Sequence, residues 1–227
     1  MILNIETSSK FCSVALCESG AVYYSLKSDL EMDHSSKLAV FVDSCMAELK
    51  KRELKLDAVA VSIGPGSYTG LRIGLSLAKG LCFGLSIPLI GVSTLKILAV
   101  KAMFANRDFN ENQLYIPLID ARRMEVYTAV LNNSLEYVEE PHPLILEEDS
   151  FGQFQGQPII FVGDGVEKAK TILKVEAQRW IQCVPSAEDM TALSEKSFRE
   201  KDFLDIAYST PFYLKNFQAT TPKNKLC

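Results

Sequence analysis

The sequence predicts an α/β protein built as two tandem βββαβα halves, each a mixed sheet flanked by helices, over residues 1–107 and 108–227. Three observations carry this. Short apolar runs of strand length alternate with segments whose apolar residues recur at helical spacing. The order of those runs starts again after a hydrophilic stretch, Asn106 to Asn112. Matching features also stand at matching places in both halves. An apolar strand ends in an acid at Leu3-Asn4-Ile5-Glu6 and at Leu118-Ile119-Asp120. Later, a strand runs into Gly-x-Gly and a helix at Ile63-Gly64-Pro65-Gly66 and at Val162-Gly163-Asp164-Gly165. Each match is weak alone; together, in the same order, they indicate an internal duplication.

The elements follow in turn. Met1 to Ile5, Cys12 to Cys17 and Ala21 to Leu26 are strands, the last two separated by the turn signal Glu18-Ser19-Gly20. From Ser35 the period changes: Leu38, Val42, Cys45 and Leu49 recur as on one helix face, to about Arg52. Asp57 to Ile63 is a buried strand, Leu71 to Phe83 a helix, Pro88 to Val92 a strand and Ser93 to Ala105 a helix. In the second half Leu114 to Asp120 and Val126 to Leu131 are strands around an Arg122-Arg123 turn, with a third candidate at Leu135 to Val138. Pro158 to Val162 is a strand, Val166 to Leu173 a helix, Ile181 to Val184 a short strand and Ala187 to Arg199 a helix. The last segment, Ala207 to Cys227, has no predicted place and is free to pack back on the first half.

Composition narrows the function. With 48% hydrophobic residues among 227, the chain can bury a sizeable core without disulfides or a structural metal. The net charge of −4 argues against binding RNA phosphates by bulk charge. The basic spots at Lys50, Lys51, Arg52 and at Arg122, Arg123 read as solvated helix ends and turns. The cysteines Cys12, Cys17, Cys45, Cys82, Cys183 and Cys227 form no C-x-x-C pair, and most lie in apolar runs, as small buried residues of a reducing compartment do. Neither a signal peptide nor a membrane span is legible, so a cytoplasmic protein is expected.

Few residues suggest chemistry. The loop from Gly64 to Gly70 joins a strand to a helix; its amides suit an anion, and its glycines suit equally a tight turn. It is neither a P-loop nor a dinucleotide fingerprint. In the following helix Gly70, Gly74, Ala78 and Cys82 form a stripe of small residues, with Leu71 and Leu75 on one flank and Ile73, Leu77 and Leu81 on the other. Each helical glycine costs about 1 kcal/mol against alanine, so close approach of another segment is expected, from the same chain or from a partner. His34 stands at a helix start, where capping is expected, and with His142 it makes no metal-binding pair. Glu6 and Asp120, at strand ends, are candidate magnesium ligands of a nucleotide cleft or simply exposed acids.

The halves together resemble the actin and sugar-kinase architecture, with a ribonuclease-H-like core in each. More specifically, the chain resembles the TsaB family. The residues that carry this are Ile2-Leu-Asn-Ile-Glu-Thr-Ser-Ser9, Asp57-Ala-Val-Ala-Val-Ser-Ile-Gly64-Pro-Gly-Ser-Tyr-Thr-Gly-Leu-Arg72-Ile-Gly-Leu75 and Ile87-Pro-Leu-Ile-Gly-Val-Ser-Thr-Leu95. Ile119-Asp-Ala-Arg-Arg-Met-Glu-Val-Tyr127, Gly163-Asp-Gly165 and Pro211-Phe-Tyr-Leu-Lys215 add to them. The match is dense over the first hundred residues and patchy afterwards.

That resemblance implies a non-catalytic subunit, with no cofactor and no metal, needed to form threonylcarbamoyl-adenosine on tRNAs reading ANN codons. It implies a TsaD-type catalytic paralogue and a TsaE-type ATPase as partners, a homodimer when the chain is alone, and contact with tRNA only through the complex. The pairing surface it implies lies on the two helices of the first half, at Leu38, Phe41, Val42, Cys45, Leu71, Gly74, Leu75 and Ala78. A degenerate nucleotide cleft falls at Glu6, Thr7, Ser8, Asp120, Arg122, Gly163 and Gly165. Thr94 and Leu98 stand where the paralogue has metal-binding histidines, and neither replaces imidazole. The competing readings are an ATP-dependent transferase or kinase using the cleft, and a metallopeptidase, which the missing histidine pair disfavours.

Overall fold

A computed structural model describes residues 1–215 except Met32, Arg107 and Phe109. Five strands of the first half, β1 (Ile2–Glu6), β2 (Ser13–Glu18), β3 (Ala21–Lys27), β4 (Ala58–Gly64) and β5 (Leu89–Ser93), form one sheet in the order β3-β2-β1-β4-β5. β1 pairs antiparallel with β2 and parallel with β4, and β5 continues parallel. The second half repeats this with β6 (Leu114–Asp120), β7 (Glu125–Leu131), β8 (Tyr137–Ile145), β9 (Ile159–Gly163) and β10 (Arg179–Gln182), in the order β10-β9-β6-β7-β8. Read from the opposite edge, each strand takes the place of its counterpart five earlier. The duplication expected from the sequence is therefore present in the topology.

β8 runs well past the expected end at Val138. Its Glu139-Glu140-Pro141-His142-Pro143 stretch looks unlike a strand because it lies at the sheet edge, where charges and prolines are tolerated. β10 begins two residues earlier than expected.

Helices α1 (His34–Lys51) and α2 (Tyr68–Leu85) lie side by side on one face of the first sheet. Leu38, Val42, Cys45 and Leu49 of α1 and Leu75, Ala78 and Cys82 of α2 close the core against Leu3, Ile5, Val14, Leu16, Val59 and Val61. Helix α3 (Thr94–Ala105) is apolar around most of its circumference because it is enclosed by both halves. Ile97 packs on Ala58, Ala60, Ile90 and Val92 of the first sheet. Leu95, Leu98, Ala99 and Ala102 pack on Tyr115, Ile119, Ala129, Ile160 and Val162 of the second. Helix α4 (Val166–Ile172) covers the other face of the second sheet.

A short 3-10 turn, Ala187–Met190, and helix α5 (Thr191–Glu200) return to the first sheet, where Ala187 packs on Ala15 and Cys17. Residues 202–215 then run as a strap. Leu204 N donates to Leu89 O at 2.8 Å and covers the β5 edge, and Phe212 N donates to Ile63 O at 2.7 Å. Lys215 ends the strap 2.5 Å from Glu125 of the second half. Residues 216–227, including Cys227, lie outside the described residues. No helix among the described residues is long and apolar enough to cross a membrane.

Candidate functional site

The glycine loop is explained by what lies beneath it. The β1–β2 turn rises under residues 64–70, and Ser67 N donates to Ser8 O at 2.7 Å. A Cβ on Gly66 would strike Ser8 O, one on Gly70 would strike Thr7 O, and one on Gly74 would strike the Thr7 side chain. Ser67 Oγ accepts from Gly70 N at 3.2 Å and caps α2. The small-residue stripe thus admits the chain's own turn. The glycines belong to close packing, and Ser67 takes up one of the amides at the helix start.

The same turn buries Glu6 completely. Its Oε1 accepts from Ser8 N and from Ser8 Oγ, each at 2.5 Å, and Oε2 has no partner. Burial pushes its pKa up to about 7, against the lowering effect of the Ser8 bonds. Thr7 N donates to Ser62 Oγ at 3.2 Å. His34 does not cap α1: its Nε2 lies 3.1 Å from Ser9 O and anchors the turn instead. Burial lowers the His34 pKa, so the ring is neutral at pH 7.

In the second half Asp120 is tied down. Its Oδ1 takes Lys168 Nζ at 2.7 Å and Arg122 N at 2.6 Å, while Asp120 N donates to Asp164 Oδ1 at 2.8 Å. Gly163 has φ +132, and a Cβ there would strike Leu118 O, to which Gly165 N donates at 2.9 Å. These glycines let β6 approach β9, as Gly66 admits Ser8 and Gly64 the strap at Phe212. Between the halves Ser8, Ser9, Thr94, Leu98, Ile119, Asp164 and Pro185 leave about 10 Å³, the space of one water. Of the seven expected cleft residues Ser8 alone lines this small space, while Glu6 and Thr7 are buried and Asp120 is held by Lys168. Glu6 and Asp120 face separate partners and do not converge on a magnesium site.

The expected pairing residues need correction as well. Leu38, Val42, Cys45, Leu71, Gly74, Leu75 and Ala78 are all buried inside the chain's own core, and Phe41 is half-buried. They recur at helical spacing because they face the first sheet. The surface that α2 presents outward is Arg72, Ser76, Gly80, Phe83 and Gly84, flanked by half-buried Ile73 and Leu77. Phe83 is 80% exposed, and a Cβ on Gly80 or Gly84 would meet nothing within 4 Å. The signal for this second stripe was in the sequence: Ser76, Gly80 and Gly84 also recur every four residues. Along the edge of this same surface Arg72 Nε donates to Tyr213 OH at 3.0 Å and Lys79 Nζ to Ala207 O at 3.2 Å, fixing the strap.

Two equivalent mixed sheets, a shared central helix and acid-bearing strand ends define the actin-like class of α/β proteins. The comparisons narrow it. Residues 28–223 match the family model described as TsaD, tRNA N6-adenosine threonylcarbamoyltransferase. The chain is 33% identical over 198 residues to the tRNA threonylcarbamoyladenosine biosynthesis protein TsaB of Buchnera aphidicola from Schizaphis graminum, covering 84% of this chain and 90% of that protein. It is 30% identical to the Escherichia coli K12 protein of that name, covering 95% of this chain and 94% of that one. The solved structure described as YeaZ from Pseudomonas aeruginosa superposes with a TM-score of 0.80 at 25% identity, over 94% of this chain and 99% of that one. The chain belongs to the TsaB family of tRNA threonylcarbamoyladenosine biosynthesis proteins.

Proposed function

We propose that this chain is a non-catalytic subunit in the formation of threonylcarbamoyl-adenosine on tRNA, and that it acts by docking a TsaD-type catalytic paralogue on the outward face of α2. The observation that carries the reading is the pair Gly80 and Gly84, open to solvent beside an exposed Phe83. Each glycine weakens the helix by about 1 kcal/mol with no intramolecular contact in return. A second helix lying close along Ser76, Gly80 and Gly84, with Phe83 as its anchor, would offset that cost. The space lined by Thr94, Leu98, Ile119 and Pro185 between the halves is about that of one water, which supports a subunit role over a kinase-like one. A TsaE-type ATPase completes the assembly, and the same face pairs two copies when the paralogue is absent.

The test is reconstitution. Product should form from paralogue and ATPase only when this chain is added, and Gly80→Leu should abolish both capture of the paralogue and product while melting no lower than wild type. Full product without the chain, or undiminished capture by Gly80→Leu, would overturn the reading.

A further inference from the structure

Helix α2 is charged with one sign only. Its 18 residues include Arg72 and Lys79 and no acid. The two stand seven residues apart, so they share one line along the edge of the outward face, about 10 Å from each other at 1.5 Å per residue. Ser76, Gly80 and Phe83 lie beside that line, and half-buried Ile73 and Leu77 lie across the face.

Among the described residues neither cation has a carboxylate partner. Arg72 donates to the Tyr213 hydroxyl and rests with its Cζ 4.1 Å from the centre of the Tyr68 ring, while Lys79 donates to Ala207 O. These contacts place the two charges without cancelling them. The strap's acids do not cancel them either. Asp205 Oδ1 accepts from Ala207 N at 2.7 Å and from Tyr208 N at 2.9 Å, and Asp202 pairs with neither cation. Helix α1 alongside brings Lys37, Lys50 and Lys51 against Asp43 and Glu48, and Glu48 is already paired with Arg52 at 2.6 Å. The two-helix face is therefore positive, on a chain whose net charge is −4.

We infer that Arg72 and Lys79 choose the occupant of this face: a helix of the paralogue carrying two carboxylates about two turns apart, in preference to a second copy of this chain. Such a helix covers the open Gly80 and Gly84 and the exposed Phe83, and its acids meet the guanidinium and the ammonium at the rim. A second copy brings the same helix with the same sign. Two-fold pairing uses one patch twice, so antiparallel copies centred on Ser76 set Arg72 of each beside Lys79 of the other, cation against cation. RNA phosphates would take the cations and leave Ile73, Leu77 and Phe83 uncovered. The inference rests on the docking of the paralogue on α2 and adds what makes that docking selective.

The experiment measures binding of the full chain to the purified paralogue at low and at high salt, and self-association by analytical ultracentrifugation. Arg72→Gln with Lys79→Gln removes both charges, keeps a polar side chain at each place and should melt close to wild type. At low salt its affinity for the paralogue should fall at least about tenfold, mostly in the association rate, and its salt dependence should largely vanish. Its self-association should instead tighten by about twofold or more, because a like-charge contact is gone. Tyr213→Phe loosens the strap, keeps both charges and should hold paralogue affinity within about twofold. Undiminished capture by the double variant, with wild type capturing normally, overturns the inference and leaves the docking reading standing. The same result together with lost tRNA binding assigns the cations to RNA. Parallel loss of paralogue capture and self-association, or an equal loss in Tyr213→Phe, also overturns it, because the residues would then support the face rather than choose its partner. If wild type captures no paralogue, the docking reading falls and this one with it.

Discussion

Glu6 has no exposed surface and no cation among its contacts, so its charge state is set by burial. Its pKa of about 7 lies above the ordinary value of 4.5. A carboxyl that keeps its proton in the folded state favours folding while protonated. That contribution is complete below about pH 4.5 and is lost as pH rises through 7, to a total of roughly 3 kcal/mol. Glu6→Gln removes the ionisation and keeps an acceptor for Ser8. It should melt close to wild type at pH 5 and clearly above it at pH 8. A wild-type advantage that grows with pH in paired thermal melts would sink this account.

The glycines of α2 make a matched pair of tests on one helix. Gly74 sits on Thr7, so alanine there must displace a buried side chain and should destabilise by about 1–3 kcal/mol. Gly80 faces open space, so the same substitution should stabilise by up to about 1 kcal/mol. Denaturant midpoints of the two proteins check both signs. If both lose stability, the outward stripe is not free in the monomer. The flanks give a second contrast. Leu75 is buried against the sheet and Leu77 is half-buried on the outer flank. Leu75→Glu forces an unpaired charge into the core and should cost several kcal/mol, enough to unfold the domain. Leu77→Glu should keep its carboxylate hydrated, melt near wild type and fail to capture the paralogue. Thermal melts and pull-downs on both variants separate a core flank from a docking flank.

At the scale of the molecule, α3 belongs to both cores, and the strap and α5 tie the two halves together again. The halves should therefore unfold as one. Leu98 is 1% exposed and packs toward the second sheet, so Leu98→Ala should cost about 2–5 kcal/mol. It should shift the whole transition, although it lies in the first half. The single tryptophan, Trp180, stacks on Phe161 in the second sheet and reports that half by fluorescence. Circular dichroism reports both. Coincident transitions before and after the substitution are expected, and separated ones would show that α3 does not couple the halves.

The sequence by itself determined the element order, the duplication and the family. These are written in local periodicity and in the run from Gly64 to Leu75, and both survive without knowledge of what packs on what. It also marked Gly70 and Gly74 as points of close approach, which they are. What it did not contain was the identity of the approaching segment. A stripe of small residues reads the same whether Thr7 or another protein lies on it, and only the fold brought the β1–β2 turn under α2. For the same reason the pairing surface that the family resemblance implies, from Leu38 to Ala78, falls on residues that face their own sheet. What packs against the strand ends was equally out of reach. Acidic strand ends and Gly-x-Gly turns occur both in nucleotide sites and in seams sealed by packing. What lies against each strand end here was decided by residues far apart in sequence, Lys168 on Asp120 and Leu98 and Pro185 beside Ser8, which come together only in the fold.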